Sequence, residues 1–159
     1  MEKIKKIMEH NKFRLYVMLN QKWEKERKFC KHNIRHFIDV ARIASIVNLE
    51  QQLGYEKEII YAAALLHDIG KWAQYQFEIP HNESSVILSI EILKDVGFAS
   101  NDIETITSAI QTHRSYIKED NSLNSLLYYA DKKSRNCFYC SQQKHCNWPD
   151  HKKNKNLTI

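Results

Sequence analysis

The sequence predicts an all-α domain, and three observations support that prediction. Only three glycines and two prolines occur among 159 residues, so few positions would break a helix. Apolar residues recur at helical spacing in successive segments, and no segment alternates apolar and polar residues as a half-buried strand does. A chain of this length, with 43% apolar and 27% charged residues, can bury one core of its own.

The first half of the chain contains three predicted helices. Residues 12–29 form a charged amphipathic segment. Residues 33–53 carry apolar side chains at helical spacing, and Gly54 follows where a C-cap glycine belongs. Residues 58–67 are almost entirely apolar, so we expect this helix at the centre of the domain, ending near Gly70.

Three further helices are predicted in the second half. The first runs to residue 96 and ends at Gly97, the second presents isoleucines on one face, and the third is rich in leucine. A short polar residue can cap each of them. The candidates are Asn82 for the first helix, Ser100 or Asn101 for the second, and Asn121 or Ser122 for the third.

The domain organisation follows from this pattern. Residues 1–147 are expected to form a single domain with its core in 30–135 and a cysteine-containing segment in 136–147. Residues 148–159 are expected to be a loose polar tail. The irregular segments 75–80 and 116–121 are expected to shape a substrate pocket.

The charge and hydropathy patterns narrow the class of protein. The formal net charge of +5 fits an anionic substrate or simply a solvated surface, and it fits a nucleic-acid partner less well because no continuous basic stripe occurs. No apolar stretch reaches the roughly 20 residues that a membrane-spanning helix needs, and no secretion signal is recognisable. We therefore expect a cytoplasmic protein with no membrane partner and with reduced cysteines, while the oligomeric state stays open.

Six histidines and aspartates are expected to face the interior. An ionised carboxylate at the end of a buried helix is costly unless it is paired or bound to a metal. Buried imidazoles and carboxylates can satisfy each other by binding a cation, and two of each make an N/O site for a transition metal. The six are His36, His67, Asp68, His81, His113 and Asp131. The other histidines lie in polar surroundings and are interpreted as surface residues; they are His10, His32, His145 and His151.

Several motifs together resemble the HD-domain phosphohydrolase superfamily. They read HFIDVA, AAALLHDIGK, a histidine after a proline, THR and YADK, and they span about residues 30–135. The resemblance implies a bundle of five or more helices in which His36, His67, Asp68 and Asp131 bind one divalent metal. His81 and His113 match the positions of the extra histidines in members that bind two metals. Iron, manganese and zinc are all compatible with these ligands.

The resemblance also implies a reaction and roles for individual residues. Asp68 would bridge two metals and be essential for catalysis. Lys71 would meet a phosphate oxygen of the substrate, and Arg114 is a second phosphate-binding candidate; the alternative for both is a solvated loop side chain. The implied activity is hydrolysis of a phosphoester or phosphoanhydride bond in a nucleotide-type substrate by a metal-activated water. Two alternatives are a di-iron oxygenase of the same fold and a metal-binding regulatory domain without turnover.

The cysteines occur in only two places. Cys30 lies six residues before His36, and Cys137 lies six residues after Asp131, with Cys140 and Cys146 close behind. If the two helices run antiparallel through a shared metal, both offsets correspond to about 9 Å in the same direction. We therefore expect Cys30, Cys137, Cys140 and Cys146 to lie together as a possible second metal site, holding zinc or an iron–sulfur cluster. The alternative is a set of reduced, unligated thiols.

Overall fold

The computed structural model describes residues 1–115 and 120–157, and these contain α-helices and short 3₁₀ turns but no β-strand. The prediction of an all-α bundle of at least five helices is thereby confirmed. The helices are α1 (Glu2–Glu9), α2 (Asn11–Trp23), α3 (Ile34–Glu50), α4 (Lys57–Leu66), α5 (Lys71–Phe77), α6 (His81–Asp95), α7 (Ser100–Thr112) and α8 (Leu123–Lys133). Three 3₁₀ turns follow at Cys137–Tyr139, Gln143–His145 and Asp150–Lys152. Within the described ranges, no helix is both long and apolar enough to cross a membrane.

Helix α4 lies at the centre of the bundle, as its uniformly apolar sequence predicts. Its residues Ile59, Ile60 and Ala62–Leu66 are all buried. It packs against α1, α3, α7 and α8, so apolar neighbours surround it on every side. The polar residues that follow α4 are therefore carried into the interior of the protein.

The helix ends agree only partly with the predicted caps. Gly97 has a φ of +86°, and Phe98 N–H donates to Leu93 O at 3.0 Å, which closes α6 in a left-handed C-cap. Ser122 caps α8 by accepting from Ser125 N–H at 3.2 Å, as predicted. The predicted C-cap at Gly54 is wrong, because Gln52 takes the left-handed position after α3 with a φ of +53°. The cap prediction for Asn82 is also wrong, since α6 begins at His81 after Pro80.

Two short helices were not predicted, and one predicted helix is shorter than expected. Helices α1 and α5 have only eight and seven residues, too few for a clear apolar period. Helix α2 ends at Trp23, not at residue 29. Glu24, the C-cap residue, is buried on the same face as Phe13, Val17 and Asn20 and is only 2% exposed.

The polar segment after residue 147 folds back on the bundle. The side-chain amide of Asn154 donates to the carbonyl oxygens of Lys132 and Arg135, both at 2.8 Å. The ammonium group of Lys132 also lies 5.8 Å from the ring centre of Trp148. Residues 148–154 are therefore held against the end of α8, where the polar sequence predicts a loose tail.

Candidate metal centre

Five helix ends bring the six predicted histidines and aspartates together, and all six are buried. His67 and Asp68 directly follow α4, and His113 directly follows α7. His36 lies in the first turn of α3, His81 is the first residue of α6, and Asp131 lies in the last turn of α8. Each residue thus occupies a helix end, where backbone groups are free to hold a side chain in place.

The six side chains form two sets that share Asp68. In the first set, ligand atoms of His36, His67, Asp68 and Asp131 all lie within 4.8 Å of one another. In the second set, the same holds for Asp68, His81 and His113.

The two oxygens of Asp68 face opposite sets. Oδ2 lies 3.1 Å from His67 Nε2 and 3.7 Å from His36 Nε2. Oδ1 lies 3.2 Å from His81 Nε2 and 3.4 Å from His113 Nε2. One carboxylate therefore stands between two groups of imidazole nitrogens, an arrangement that can bridge two cations.

Hydrogen bonds at Nδ1 orient all four imidazoles. The Nδ1–H groups of His67 and His113 donate to the carbonyls of Ala64 and Ile110, at 2.7 and 2.6 Å. These carbonyls lie three residues earlier, at helix C-termini where they lack a helical partner.

The other two imidazoles are held by side chains. Ser134 Oγ donates to Asp131 O and lies 3.1 Å from His36 Nδ1, whose N–H it can accept. Gln74 Oε1 lies 2.5 Å from His81 Nδ1 and accepts its N–H. With Nδ1 held as a donor in all four rings, each Nε2 is directed into the cluster, and a ring that is neutral offers its Nε2 lone pair to a metal.

The chemistry of this donor set fits a divalent metal. Three atoms at its centre are buried and make no hydrogen bond: His67 Nε2, Asp68 Oδ1 and Asp131 Oδ1. Buried polar atoms without partners are costly, and a cation between them would satisfy all three. The site is therefore built to bind divalent metal.

The charge states of the cluster agree with this conclusion. Burial alone would oppose ionisation, but the neighbouring histidines hold the pKa of Asp68 and of Asp131 well below the ordinary value. Burial lowers the pKa of His81 to about 2, against the attraction of Asp68, so this ring is neutral. His67 differs, because Asp68 and Asp131 overcome the effect of burial and raise its pKa to about 10. A cation would displace the proton that His67 shares with the two carboxylates.

The loop that carries Asp68 is fixed from both sides. Asn20 of α2, fully buried, donates to Asp68 O at 2.9 Å and accepts from Trp72 N–H at 2.8 Å. From the other side, Gly70 N–H donates to Ser85 Oγ at 2.9 Å and Ser84 Oγ donates to Gly70 O at 3.1 Å. These bonds hold the carboxylate in position before any ligand arrives.

His32 corrects one interpretation made from the sequence. We interpreted it as a surface residue, but it is only 9% exposed, and its Nε2 lies 3.7 Å from Asp68 Oδ2. Its Nδ1 lies 2.5 Å from Glu24 Oε1, and its backbone N–H donates to Glu24 Oε2 at 2.6 Å. Tyr75 also donates to Glu24 Oε1, at 2.8 Å. Burial would raise the pKa of Glu24, but His32 lowers it, so Glu24 is a carboxylate. This carboxylate orients the imidazole of His32, the fifth in the site, toward the cluster.

Of the other three histidines that we interpreted as surface residues, two are exposed and one is partly buried. His145 and His151 are exposed, as expected. His10 is partly buried, caps α2 through Nδ1 and lies 3.2 Å from Asp95 Oδ2, so its contacts are with residues outside the cluster. A polar sequence neighbourhood therefore identified the exposed histidines His145 and His151 correctly, but it missed the burial of His32 against Glu24.

Arg135 is a further residue of the site that the sequence pattern did not reveal. Its Nη2 lies 2.9 Å from His36 Nε2 and 3.7 Å from Asp131 Oδ1, and its Nη1 donates to Lys31 O at 3.2 Å. The guanidinium is thus a cation already placed against two ligands of the first set. A metal bound by His36 would compete with Arg135 for the same lone pair.

The cluster lies in a cavity of about 900 Å³ whose wall is strongly cationic. Among the described residues, ten lysines and arginines line it against three aspartates.

Both predicted phosphate-binding residues are in this wall. Lys71 Nζ lies 3.1 Å from Gln74 Oε1 and 3.1 Å from His81 Nδ1, beside the second set, and Arg114 is exposed next to His113. Of the two segments expected to shape the pocket, 75–80 contains the end of α5 and contributes no residue to the cavity lining, so that prediction is wrong; most of 116–121 lies outside the described residues.

The four cysteines do not form a third cluster of comparable tightness in the described part of the chain. All four nevertheless line the same cavity as the histidines and aspartates.

Comparison with known proteins adds three findings. Residues 33–136, more than half of the chain, match the family described as HD domain. An uncharacterized protein of Clostridium beijerinckii is 47% identical over 154 residues, which cover 97% of both chains. Ribonuclease Y of Mesoplasma florum is 25% identical over 122 residues, which make up 77% of this chain but only 22% of that longer protein.

One solved structure is similar over most of the chain. It is a predicted HD superfamily hydrolase from an uncultured Thermotogales bacterium, with a TM-score of 0.63 and 20% identity. The match covers 88% of this chain and 80% of the other. At this identity the likeness demonstrates a shared fold.

Proposed function

Because the chain belongs to the HD domain family, we propose that it is a metal-dependent phosphohydrolase that cleaves a phosphoester or phosphoanhydride bond of a nucleotide-type substrate. The observation that carries the proposal is the Asp68 carboxylate, whose two oxygens face two sets of imidazoles at the base of a cationic cavity. Neither of the two alternatives named from the sequence has a specific observation in its favour.

The ligand assignment follows the two sets. His36, His67, Asp68 and Asp131 would hold one divalent ion, and Asp68, His81 and His113 would hold a second. A bound ion pair supplies a water activated near neutral pH and neutralises charge on phosphate oxygens. Iron, manganese and zinc all fit an N/O donor set of this kind.

The side chains around the cluster suit an anionic substrate. The excess of cations in the cavity wall attracts phosphate and concentrates it at the metal centre. Lys71 is half-buried, and burial lowers its pKa, but it remains a donor beside the second set. Arg114 is exposed and lies closer to solvent. We infer that the two residues would contact phosphate at different depths, Lys71 beside the second set and Arg114 nearer solvent.

The names of two similar proteins support the reaction class. One is called a hydrolase and the other a ribonuclease, and the backbone of RNA is a phosphodiester. The match to ribonuclease Y covers a small part of that protein, so RNA enters here only as one substrate to be tested. The mild charge of this chain favours a small nucleotide over a polymer.

A hydrolysis screen with anaerobically purified, metal-analysed protein, read by chromatographic analysis of the products, tests the proposal. The panel should contain nucleoside monophosphates, dinucleoside polyphosphates, cyclic dinucleotides and a short RNA. We expect turnover of at least one nucleotide, loss of turnover with a chelator, and recovery with added metal. Oxygen uptake in place of hydrolysis would support the oxygenase, and bound metal with neither activity would support a regulatory domain.

The number of metals is tested by His113→Ala. This change removes a ligand of the second set only, so the protein should lose one equivalent of metal relative to the parent while keeping its helical circular dichroism. Thr112→Ala, at the neighbouring position, serves as the control and should leave metal content unchanged. An unchanged metal content in His113→Ala would instead support a single ion at the first set.

The role of Lys71 is tested by Lys71→Ala. Removal of a charged hydrogen-bond donor costs about 1.5–3 kcal/mol. We therefore expect kcat/KM to fall by about 10–100-fold while metal content stays constant. Lys22→Ala, a change at the surface of α2, should have no effect. If Lys71→Ala and Asp68→Ala lost metal equally, the assignment of Lys71 to phosphate would be wrong.

The inward-facing His32 leads to a further prediction. Its Nε2 points into the centre beside Asp68 but lies outside both sets of ligand atoms, so we expect it to hydrogen-bond water or substrate there. His32→Gln should lower kcat by about tenfold, as expected for the loss of one hydrogen bond, and leave metal content unchanged. Glu24→Ala should lower kcat similarly, because His32 loses its orienting partner. Loss of a metal equivalent in His32→Gln would make His32 a ligand instead.

A further inference from the structure

The four cysteines lie on one wall of the cavity, although they come from two distant parts of the chain. Cys30 is in the irregular segment between α2 and α3, and the others follow α8. The Cys30 thiol is close enough to Cys137, Cys140 and Cys146 to interact electrostatically with all three. The fold thus brings the two cysteine-containing parts of the chain to the same cavity, and no three of the four sulfur atoms lie within 4.8 Å of one another.

The segment after α8 is organised around its cysteines. Cys137 begins one 3₁₀ turn, and Cys140 ends it by donating its N–H to Cys137 O at 3.2 Å. Cys146 ends the next turn by donating to Gln143 O at 3.4 Å. The side-chain amide of Gln143 also donates to Cys137 O at 3.1 Å. The backbone therefore forms tight turns whose ends are thiols, which is a common way to present sulfur ligands to one ion.

The cysteine-containing turns at 137–146 bury little apolar surface of their own. From residue 136 onward, Cys137 is the one buried side chain among the described residues. Phe138 and Tyr139, the large apolar residues next to it, are 41% and 90% exposed. A segment of irregular backbone without an apolar core usually depends on a cross-link or a metal for its stability. The chemistry available here for such a link is the set of four thiols.

A bound cation would offset the cost of forming thiolates at this position. Burial raises the pKa of Cys30, and the nearby Arg135 guanidinium opposes that rise. Arg27 Nε donates to Cys30 O at 2.8 Å and fixes the backbone at this position. A cation among four sulfurs would remove the mutual repulsion of the thiolates and the cost of their burial.

We propose that Cys30, Cys137, Cys140 and Cys146 bind one thiophilic divalent ion of the zinc class, in a structural site separate from the histidine–aspartate centre. In the described residues the clusters with all ligand atoms within 4.8 Å are the two histidine–aspartate sets, so binding would draw the turns at 137–146 toward Cys30. The ion would tie the segment that contains His32 to the segment that contains Arg135. It would thereby close one wall of the cavity.

Cobalt substitution of the full-length protein tests the site. Thiolate ligation gives Co²⁺ a sulfur-to-metal charge-transfer band, which histidine and carboxylate ligands do not give. We expect this band in the parent and in Asp68→Ala, where the other centre is damaged, and we expect its loss in Cys140→Ser. Metal analysis should show one zinc equivalent fewer in Cys140→Ser than in the control Ser141→Ala.

The reactivity of the thiols in the parent provides a test that does not depend on any variant folding. With metal present, all four thiols should react slowly with a thiol reagent and become reactive when a chelator removes the ion. Rapid reaction of all four in the metal-loaded native protein, or a charge-transfer band that survives Cys140→Ser, would overturn the proposal. Acid-labile sulfide with matching iron would also overturn the single-ion assignment and replace it with a cluster. Because these readouts do not use turnover, failure of the phosphohydrolase proposal would leave them unaffected.

Discussion

Replacement of Asp68 by alanine is expected to lower phosphate release by at least about 10³-fold, equivalent to about 4 kcal/mol of transition-state stabilisation. Asp68 is the one residue common to both sets, and each of its oxygens faces at least two histidines within 3.7 Å. Its loss removes the negative charge that two neighbouring cations require. Kinetics and metal analysis of the purified variant check this expectation.

Two further variants make the test of Asp68 specific. Asp68→Asn keeps the size of the side chain but not its charge, and it should lose activity nearly as fully. Asp102→Ala, in the first turn of α7 and away from the centre, should retain the activity of the parent. Far-ultraviolet circular dichroism should report a helical protein in all three cases. Substantial hydrolysis by Asp68→Ala would contradict the bridging role.

Gly70→Ala is expected to destabilise the folded protein strongly. A Cβ at this position would lie 2.4 Å from Ser84 Oγ and 2.5 Å from Ser85 N, closer than real contacts allow. The loop and α6 would have to separate, at a cost of about 3 kcal/mol. That corresponds to a fall in Tm of roughly 10 °C for a domain of this size. Because α6 carries His81, metal content should fall as well.

A compensating change at Ser84 gives the control. The double variant Gly70→Ala with Ser84→Gly removes the Oγ contact but leaves the backbone contacts of residues 84 and 85, so only partial recovery of Tm is expected. Thermal unfolding of both variants beside the parent measures the effect. A Gly70→Ala protein as stable as the parent would show that α6 can move without cost and would refute the role assigned to this close approach.

The six buried histidines and aspartates were accessible to prediction because each lies on or next to a strongly periodic helix. A residue in line with the apolar face of a helix points toward the core. Helix α4 is almost entirely apolar, so its burial carries His67 and Asp68, which follow it, into the core. The same reasoning identified Gly97 and Ser122 as helix-end residues. Roles for these positions rest on the proposals above; the inward direction follows from local pattern for the residues on periodic helices, whereas His81, in the break before α6, was identified through the family resemblance.

Helical periodicity could not predict the burial of Glu24 and His32. Both lie at or after the end of α2 in irregular backbone, where no period constrains direction. Their positions depend on each other and on Tyr75, which is 51 residues from Glu24 in the sequence. Arg135 was missed for a related reason, since its direction is set by Lys31 and His36 across the bundle. Contacts of this kind come from tertiary packing, which overrides the polar character of the local sequence.

Isotope labelling of the product tests the central claim most directly. The reaction should be run with the best substrate of the screen, once in ¹⁸O-labelled water and once under ¹⁸O₂, and the phosphorus-containing product analysed by mass spectrometry. Attack of a water on phosphorus predicts one ¹⁸O atom from labelled water in the product that contains the attacked phosphorus, and none from ¹⁸O₂. Incorporation from ¹⁸O₂, or the absence of label from water in every phosphorus-containing product, would contradict the assignment of the site as a phosphohydrolase centre.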